Sequence, residues 1–209
     1  MYLLHKQLNS YKDNLTKLFK DKFPKAKVIF IHDAVAFILG TIYENPKLKN
    51  KNISCVMLGT GLGYAYAKKG RVSVFKNETS KPEFGFQKYK DGMIEDIVSA
   101  TGLINLAKKN GYKYKYVVDM AKDAKKDKRL KEIFYYVGKT LGEVLNKQNK
   151  IDHFSTLVIG GGVSKSWPLL EPGFKKASKI KYIVIKDSTL TPIDGVLYAL
   201  NKGKDKIYL

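Results

Sequence analysis

The sequence predicts an α/β fold: a lobe built on a mixed sheet, preceded by an incomplete amino-terminal lobe. Three observations lead there. Residues 54–75 fall into three short apolar strands joined by hairpin-like turns. From residue 91 onward, helical periodicity alternates with short continuous apolar runs, the pattern of helices packed on parallel strands. Ahead of both lie only one helix, one apolar run and a second helix, too little for a complete sheet of their own.

Each element has its own reason. Leu8, Tyr11, Leu15, Leu18, Phe19 and Phe23 recur at three- and four-residue spacing, so a helix spans 8–23 and Pro24 ends it. Val28-Ile29-Phe30-Ile31 reads as a buried strand, and Ala34 to Gly40 as a helix. Strands follow at 54–58, 63–68 and 71–75, linked by Gly59-Thr60-Gly61-Leu62 and by Lys69-Gly70. A helix is expected over 91–109 and another over 128–148, the latter with Leu130, Ile133, Phe134, Val137, Leu141, Val144 and Leu145 on one face. The run Lys122 to Lys131 reads as the solvated start of that second helix. Strands at 156–159 and 182–185 flank the Gly160-Gly161-Gly162 turn and a further helix start. Pro192 opens a last helix through Leu200. The expected organisation is a remnant lobe over 1–40 and a nucleotide-binding lobe over 41–209, the last helix packing back on the remnant.

Composition narrows the function classes. The 209 residues carry a net charge of +20. Only Arg71 and Arg129 are arginines, however, and lysine is spread along the chain. Base readers depend on bidentate arginine, so specific nucleic-acid recognition is not expected, while loose adhesion to polyanions is. Cys55 is the single cysteine. It excludes an internal disulfide and a cysteine-rich zinc site, and it suits a cytoplasmic location. No apolar run approaches the roughly 20 residues of a membrane span, and Met1 to Gln7 carry no signal-peptide core.

Three places could carry chemistry. The Gly59-Thr60-Gly61-Leu62-Gly63 turn offers unobstructed backbone amides and a hydroxyl, an anion cradle or else a purely steric hairpin. No lysine follows at Walker spacing. Gly160-Gly161-Gly162, between strand and helix, would let backbone approach a nucleotide, or serve only as a tight crossover. Asp33 sits at a strand's carboxyl end and a helix's amino end, either a general base or a helix cap. Glu83 and Glu95 are possible ligand acceptors, and His5, His32 and His153 show no metal spacing.

In order and spacing together, these segments resemble the ROK family of sugar kinases and related repressors, within the actin-like, hexokinase-like, ribonuclease H-like ATPase fold. His32-Asp33-Ala34-Val35-Ala36-Phe37 stands where the family has Asn-Asp-Ala-Asn-Ala-Ala, whose aspartate is the catalytic base. Gly59-Thr60-Gly61-Leu62-Gly63 is similar to its phosphate-binding Gly-Thr-Gly-Ile-Gly, and Glu83-Phe84-Gly85-Phe86 to its Glu-x-Gly-His sugar motif. Gly92-Met93-Ile94-Glu95 with Ser99 matches Gly-Cys-Leu-Glu and its serine-bearing helix. Ile159-Gly160-Gly161-Gly162-Val163-Ser164 matches the adenosine motif.

The resemblance implies a cytoplasmic, glucokinase-like enzyme using ATP and Mg²⁺. It assigns Asp33 as base, Gly59, Thr60, Gly61, Gly63, Gly160, Gly161 and Gly162 to the nucleotide, and His32, Asp33, Glu83 and Glu95 to the sugar. It departs from the family at His32 and Phe86, which replace two hydroxyl-binding side chains, and in the missing zinc cysteines, so no zinc is expected. The family's opening Asp-x-Gly-Gly-Thr loop has no counterpart upstream of Asp33. The expectation is therefore impaired activity, or activity that depends on self-association or on a complementing amino-terminal chain. The alternative is a non-catalytic relative, a regulatory subunit or gene remnant that keeps the fold. No membrane partner is expected, and no helix-turn-helix points to the repressor branch.

Overall fold

The computed structural model describes residues 13–26, 28–75, 84–185 and 187–209. Contacts divide the chain into residues 1–31 and residues 32–209.

In the first unit, residues 13–22 are helical. The helix closes where Phe23 N donates to Phe19 O (2.8 Å) and Ala26 N to Phe23 O (2.9 Å), around Pro24. Residues 8–12 of the expected helix lie outside the described residues. The run 28–31 is half-buried and belongs to no strand, which corrects the sequence reading. Apolar continuity marks burial, which a segment outside a regular ladder can share with a strand.

The second unit is built on a five-stranded sheet in the order β3-β2-β1-β6-β7. Its strands are β1 (Asn52–Leu58), β2 (Leu62–Lys68), β3 (Arg71–Val72), β6 (Thr156–Gly160) and β7 (Tyr182–Val184). The first three form an antiparallel meander; β6 and β7 add in parallel, Met57 lying opposite Gly160. The sheet is therefore mixed, as the sequence predicts. The strand expected over 71–75 forms its ladder at Arg71–Val72, which pair with Lys68 and Ala67, and Val72 also bridges Tyr208.

Helix α1 (Asp33–Glu44) runs past the expected 34–40, since Thr41 and Ile42 continue its buried surface before Pro46. It is apolar nearly all round, and its residues from Ala34 to Ile42 are buried. That composition suits a helix held between two layers. Here the layers are the sheet on one side and α6 (Thr191–Lys202) on the other. Thr41 makes its hydroxyl affordable in that core by donating to Phe37 O at 2.9 Å. The helix that the sequence grouped with residues 1–40 thus packs within the second unit.

The opposite face of the sheet carries the larger core. Val56, Leu58, Tyr64, Leu157 and Ile159 meet Phe134, Val137 and Leu141 of α4 (Lys128–Asp152) and Leu170 and Phe174 of α5 (Trp167–Ala177). The helix expected over 91–109 is only α2 (Ala100–Lys109). Ser99 caps it, with extended backbone and Oγ accepting from Gly102 N at 2.9 Å. Ahead of it, β4 (Lys88–Tyr89) and β5 (Gly92–Met93) pair as a two-stranded ladder. The lysine run over 122–131 spans two helices: α3 (Val117–Asp123), which buries Val117 and Met120, ends within it, and α4 starts from the Asp127 cap. A short α7 (Lys204–Ile207) follows α6. Among the described residues no helix is long and apolar enough to cross a membrane.

Candidate functional site

Parallel pairing of β1 with β6 sets the geometry. Both strands end at the same edge of the sheet, so the Gly59–Gly63 turn and the Gly160–Gly162 turn emerge side by side. Leu58 O lies 2.6 Å from the position a Cβ on Gly161 would take. In parallel sheets this edge is where ligands sit. The start of α1 comes to the same place: Cys55 Sγ lies 3.6 Å from Ala34 O, and a Cβ on Gly63 would meet Ala34 Cβ at 3.4 Å. Phe37 covers Gly160 so closely that a Cβ there would fall 2.3 Å from the ring. Asp33 is therefore delivered to the glycine turn by packing of the helix that follows it.

The turn itself is held from the α2 side. Ala100 N donates to Gly59 O (2.8 Å), Thr101 Oγ1 to Thr60 O (2.9 Å), and Leu62 N to Glu95 Oε2 (3.3 Å). Gly85, in the short turn Phe84–Phe86, backs onto Leu62 O and Glu95. The amino end of α2, where the helix dipole is positive, thus abuts a turn whose Thr60 and Gly61 are exposed. On the other turn, Gly161 takes φ of +88°, donates its N–H to Ser188 Oγ (3.0 Å), and accepts at its carbonyl from Ser164 Oγ (2.7 Å).

Two of these glycines are not demanded by the fold. A Cβ on Gly162 would meet nothing within 4 Å, and one on Gly59 only Gly61 O at 4.0 Å; neither residue has positive φ. Space that the chain itself leaves open against bare backbone is what a bound phosphate or nucleoside requires. By contrast, Gly61, Gly63, Gly160 and Gly161 have neighbours that explain them.

The carboxylates differ in state. Asp33 is the first residue of α1; its Oδ1 accepts from Ala34 N at 2.7 Å and lies 3.1 Å from His32 Nδ1, and the side chain is 71% exposed. His32 occupies the cap position without capping. Glu95 is half-buried and clamps the turn through one oxygen. Glu83 lies outside the described residues. Phe86 is exposed at the end of its turn. Burial pushes the Cys55 thiol far up, which leaves it an inert core group. Among the described residues, no three His, Cys, Asp or Glu side chains gather as a metal site.

Sequence reasoning missed Ala100, Thr101 and Ser188, which hold the two turns. The signal that could have found them is Ser99, a serine just ahead of an apolar period, which the sequence reading places inside a helix over 91–109 and which caps α2.

Solved structures with this architecture are numerous. A protein from Cytophaga hutchinsonii assigned as a sugar kinase superimposes with a TM-score of 0.73 at 17% identity, over 90% of this chain and 70% of the other. A ROK family glucokinase from Streptomyces griseus, in complex with glucose and AMPPNP, gives 0.68 at 17% identity over 89% and 70%. The chain shares the fold of these two structures. A ROK family protein from Streptococcus pneumoniae in complex with sucrose gives 0.69 at 17% identity, over 81% of this chain and 64% of the other. The chain thus spans about two thirds of the length of these structures. A ROK family transcriptional regulator shares the fold too, with a TM-score of 0.65. No protein-family model matches the chain, and no curated protein matches it significantly.

Proposed function

We propose that the chain is the nucleotide-binding lobe of an ATP-dependent sugar kinase, one that transfers the γ-phosphoryl group to a hexose hydroxyl with a complementing lobe from another chain or copy. The observation that carries this reading is the convergence of Asp33 and two glycine turns on one sheet edge, with open space at Gly59 and Gly162. The amides of Thr60 and Gly61 and the Thr60 hydroxyl would hold the terminal phosphates. Backbone at Gly161 and Gly162 would lie against the adenosine. Asp33 would accept the proton of the attacking hydroxyl through Oδ2, its other oxygen being engaged by Ala34 N. Glu95 keeps one oxygen for a sugar hydroxyl while the other clamps the turn. Mg²⁺ commonly binds through substrate phosphates, water and one or two carboxylates, so a site without a carboxylate cluster fits it; there it supplies charge neutralisation.

Asp33 is 71% exposed, and this favours a second reading, a non-catalytic lobe that only holds nucleotide. ADP release from Mg-ATP across neutral hexoses and N-acetylated hexosamines separates the two. Sugar-dependent release abolished by Asp33→Asn supports the kinase. Binding of a fluorescent ATP analogue with no release at any sugar is expected of the second reading and of a kinase whose complementing lobe is a separate chain. Absence of both binding and release rejects each.

A further inference from the structure

Away from the glycine turns, an open groove of about 310 Å³ runs beside α2, lined by Ile104, Lys108, Tyr112, Lys113, Tyr114 and Lys115. Ile104 and Lys108 stand one turn apart on the same face of the helix. The chain after α2 turns back along it, with Tyr112 N donating to Ala107 O at 3.0 Å.

Its chemistry is unusual even on a lysine-rich surface. The rings of Tyr112 and Tyr114 lie 6.3 Å apart and 21° from parallel. Their hydroxyls donate to Asp127 Oδ2 (2.6 Å) and Asp123 Oδ2 (2.8 Å), which pins both rings. The same bonds occupy the nearby carboxylates as phenol acceptors. The Arg129 guanidinium sits 5.2 Å over the Tyr112 ring. None of Lys108, Lys113 and Lys115 forms an ion pair with a described residue. Residues 108–116 contain no acid and alternate Tyr112, Tyr114 and Tyr116 with Lys113 and Lys115.

We propose that this groove binds single-stranded nucleic acid without reading its sequence. The parts of the half-buried Tyr112 and Tyr114 rings that the core and Arg129 leave open give bases a stacking platform, and unpaired ammonium groups beside them neutralise successive phosphates. Lysine acts as a point charge and not as a bidentate reader of base edges, so affinity without sequence preference follows. The site uses none of the residues assigned to phosphoryl transfer and is independent of that reading.

Fluorescence anisotropy of labelled oligo(dT) and oligo(U), about twelve nucleotides long, titrated with the whole chain at several salt concentrations, tests it. Both oligomers should bind, more weakly as salt rises. Tyr114→Ala should weaken binding about fivefold or more, while Tyr114→Phe, which keeps the ring but frees it from Asp123, should weaken it less. The combined Lys108→Glu, Lys113→Glu and Lys115→Glu variant should lose far more affinity than Lys47→Glu, Lys150→Glu and Lys176→Glu, which make the same change in charge at exposed positions elsewhere. If Tyr114→Ala fails to fold, the two lysine triples decide. Equal losses in those triples would mean that binding follows total charge and would overturn the proposal. So would displacement of the oligomer by ATP alone, which would assign the groove to a mononucleotide.

Discussion

Gly40 and Gly195 let α1 and α6 cross backbone to backbone. A Cβ on Gly40 would lie 1.7 Å from Thr191 O, and one on Gly195 would lie 1.8 Å from Ala36 O. Helix α1 cannot yield, because it is also pressed on the sheet at Gly63 and Gly160. Gly195→Ala should therefore destabilise the fold by about 1–3 kcal/mol, the usual range for overpacking a tight core. Because α1 carries Asp33 in its first turn, any sugar-dependent ADP release should fall as well. An unchanged urea midpoint would mean that the crossing is looser than these distances state.

The glycines of the two turns divide into separable classes. Gly160→Ala drives a methyl into the Phe37 ring and should cost stability. Gly162→Ala meets nothing and adopts an ordinary φ, so stability should hold or rise by about 0.4–1 kcal/mol through the unfolded state. Under the proposed function, that same methyl occupies the nucleotide's space. Binding of a fluorescent ATP analogue should weaken about tenfold or more, since backbone approach needs the missing Cβ. A Gly162→Ala protein that melts normally and binds nucleotide normally would remove this turn from the site.

Much of the architecture was legible because it rests on local patterns. Continuous apolar runs gave β1 and β6, the glycine pairs gave the hairpins, and seven residues on one face gave α4. The failures are tertiary in origin. Val28 to Ile31 has the residues of a strand, yet pairing depends on a neighbour and not on the run itself. Gly92–Met93 looked like helix and became a strand because Lys88–Tyr89 folds back on it. At the site, the two glycine turns were visible as motifs, while their adjacency came from parallel pairing of Met57 with Gly160. Glu95 read as a ligand acceptor, but its bond to Leu62 N arises from a contact between distant segments that no spacing encodes.

A polar chain running from buried Tyr64 to exposed Gln87 supports the segment next to the glycine turn. Tyr64 OH donates to Asp152 Oδ2 (2.6 Å), Gln148 Nε2 donates to the same oxygen (2.8 Å), and Gln87 Nε2 donates to Gln148 Oε1 (3.3 Å). Burial, then the nearby Asp152 charge, pushes the Tyr64 hydroxyl far up, so it remains a donor. Tyr64→Phe preserves the ring's contact with Phe84, centroids 4.7 Å apart, and removes only the bond. The expected loss is about 1.5–3 kcal/mol, as for a hydrogen bond to a charged group. A loss near zero in urea unfolding would show that Gln148 alone satisfies Asp152.

Acid should weaken the fold partly through Asp127. Its carboxyl is held below the usual carboxylate range, first by the Tyr112 hydroxyl and then by the N–H groups of Leu130 and Arg129 at the start of α4. A carboxylate whose folded pKa is depressed contributes stability above its unfolded pKa, and loses it as pH falls through the folded one. The unfolded value is near 3.9, so the window opens at about pH 4 and runs downward. Asp127→Asn removes the titrating group and keeps one acceptor oxygen for the cap, with its amide NH2 facing the Tyr112 hydroxyl in place of the second oxygen. Urea midpoints measured from neutral pH to about pH 3 should therefore fall less steeply in Asp127→Asn than in the parent. Parallel curves would show that the Tyr112 bond and the cap do not favour the charged form, and would loosen the ring that the nucleic-acid groove depends on.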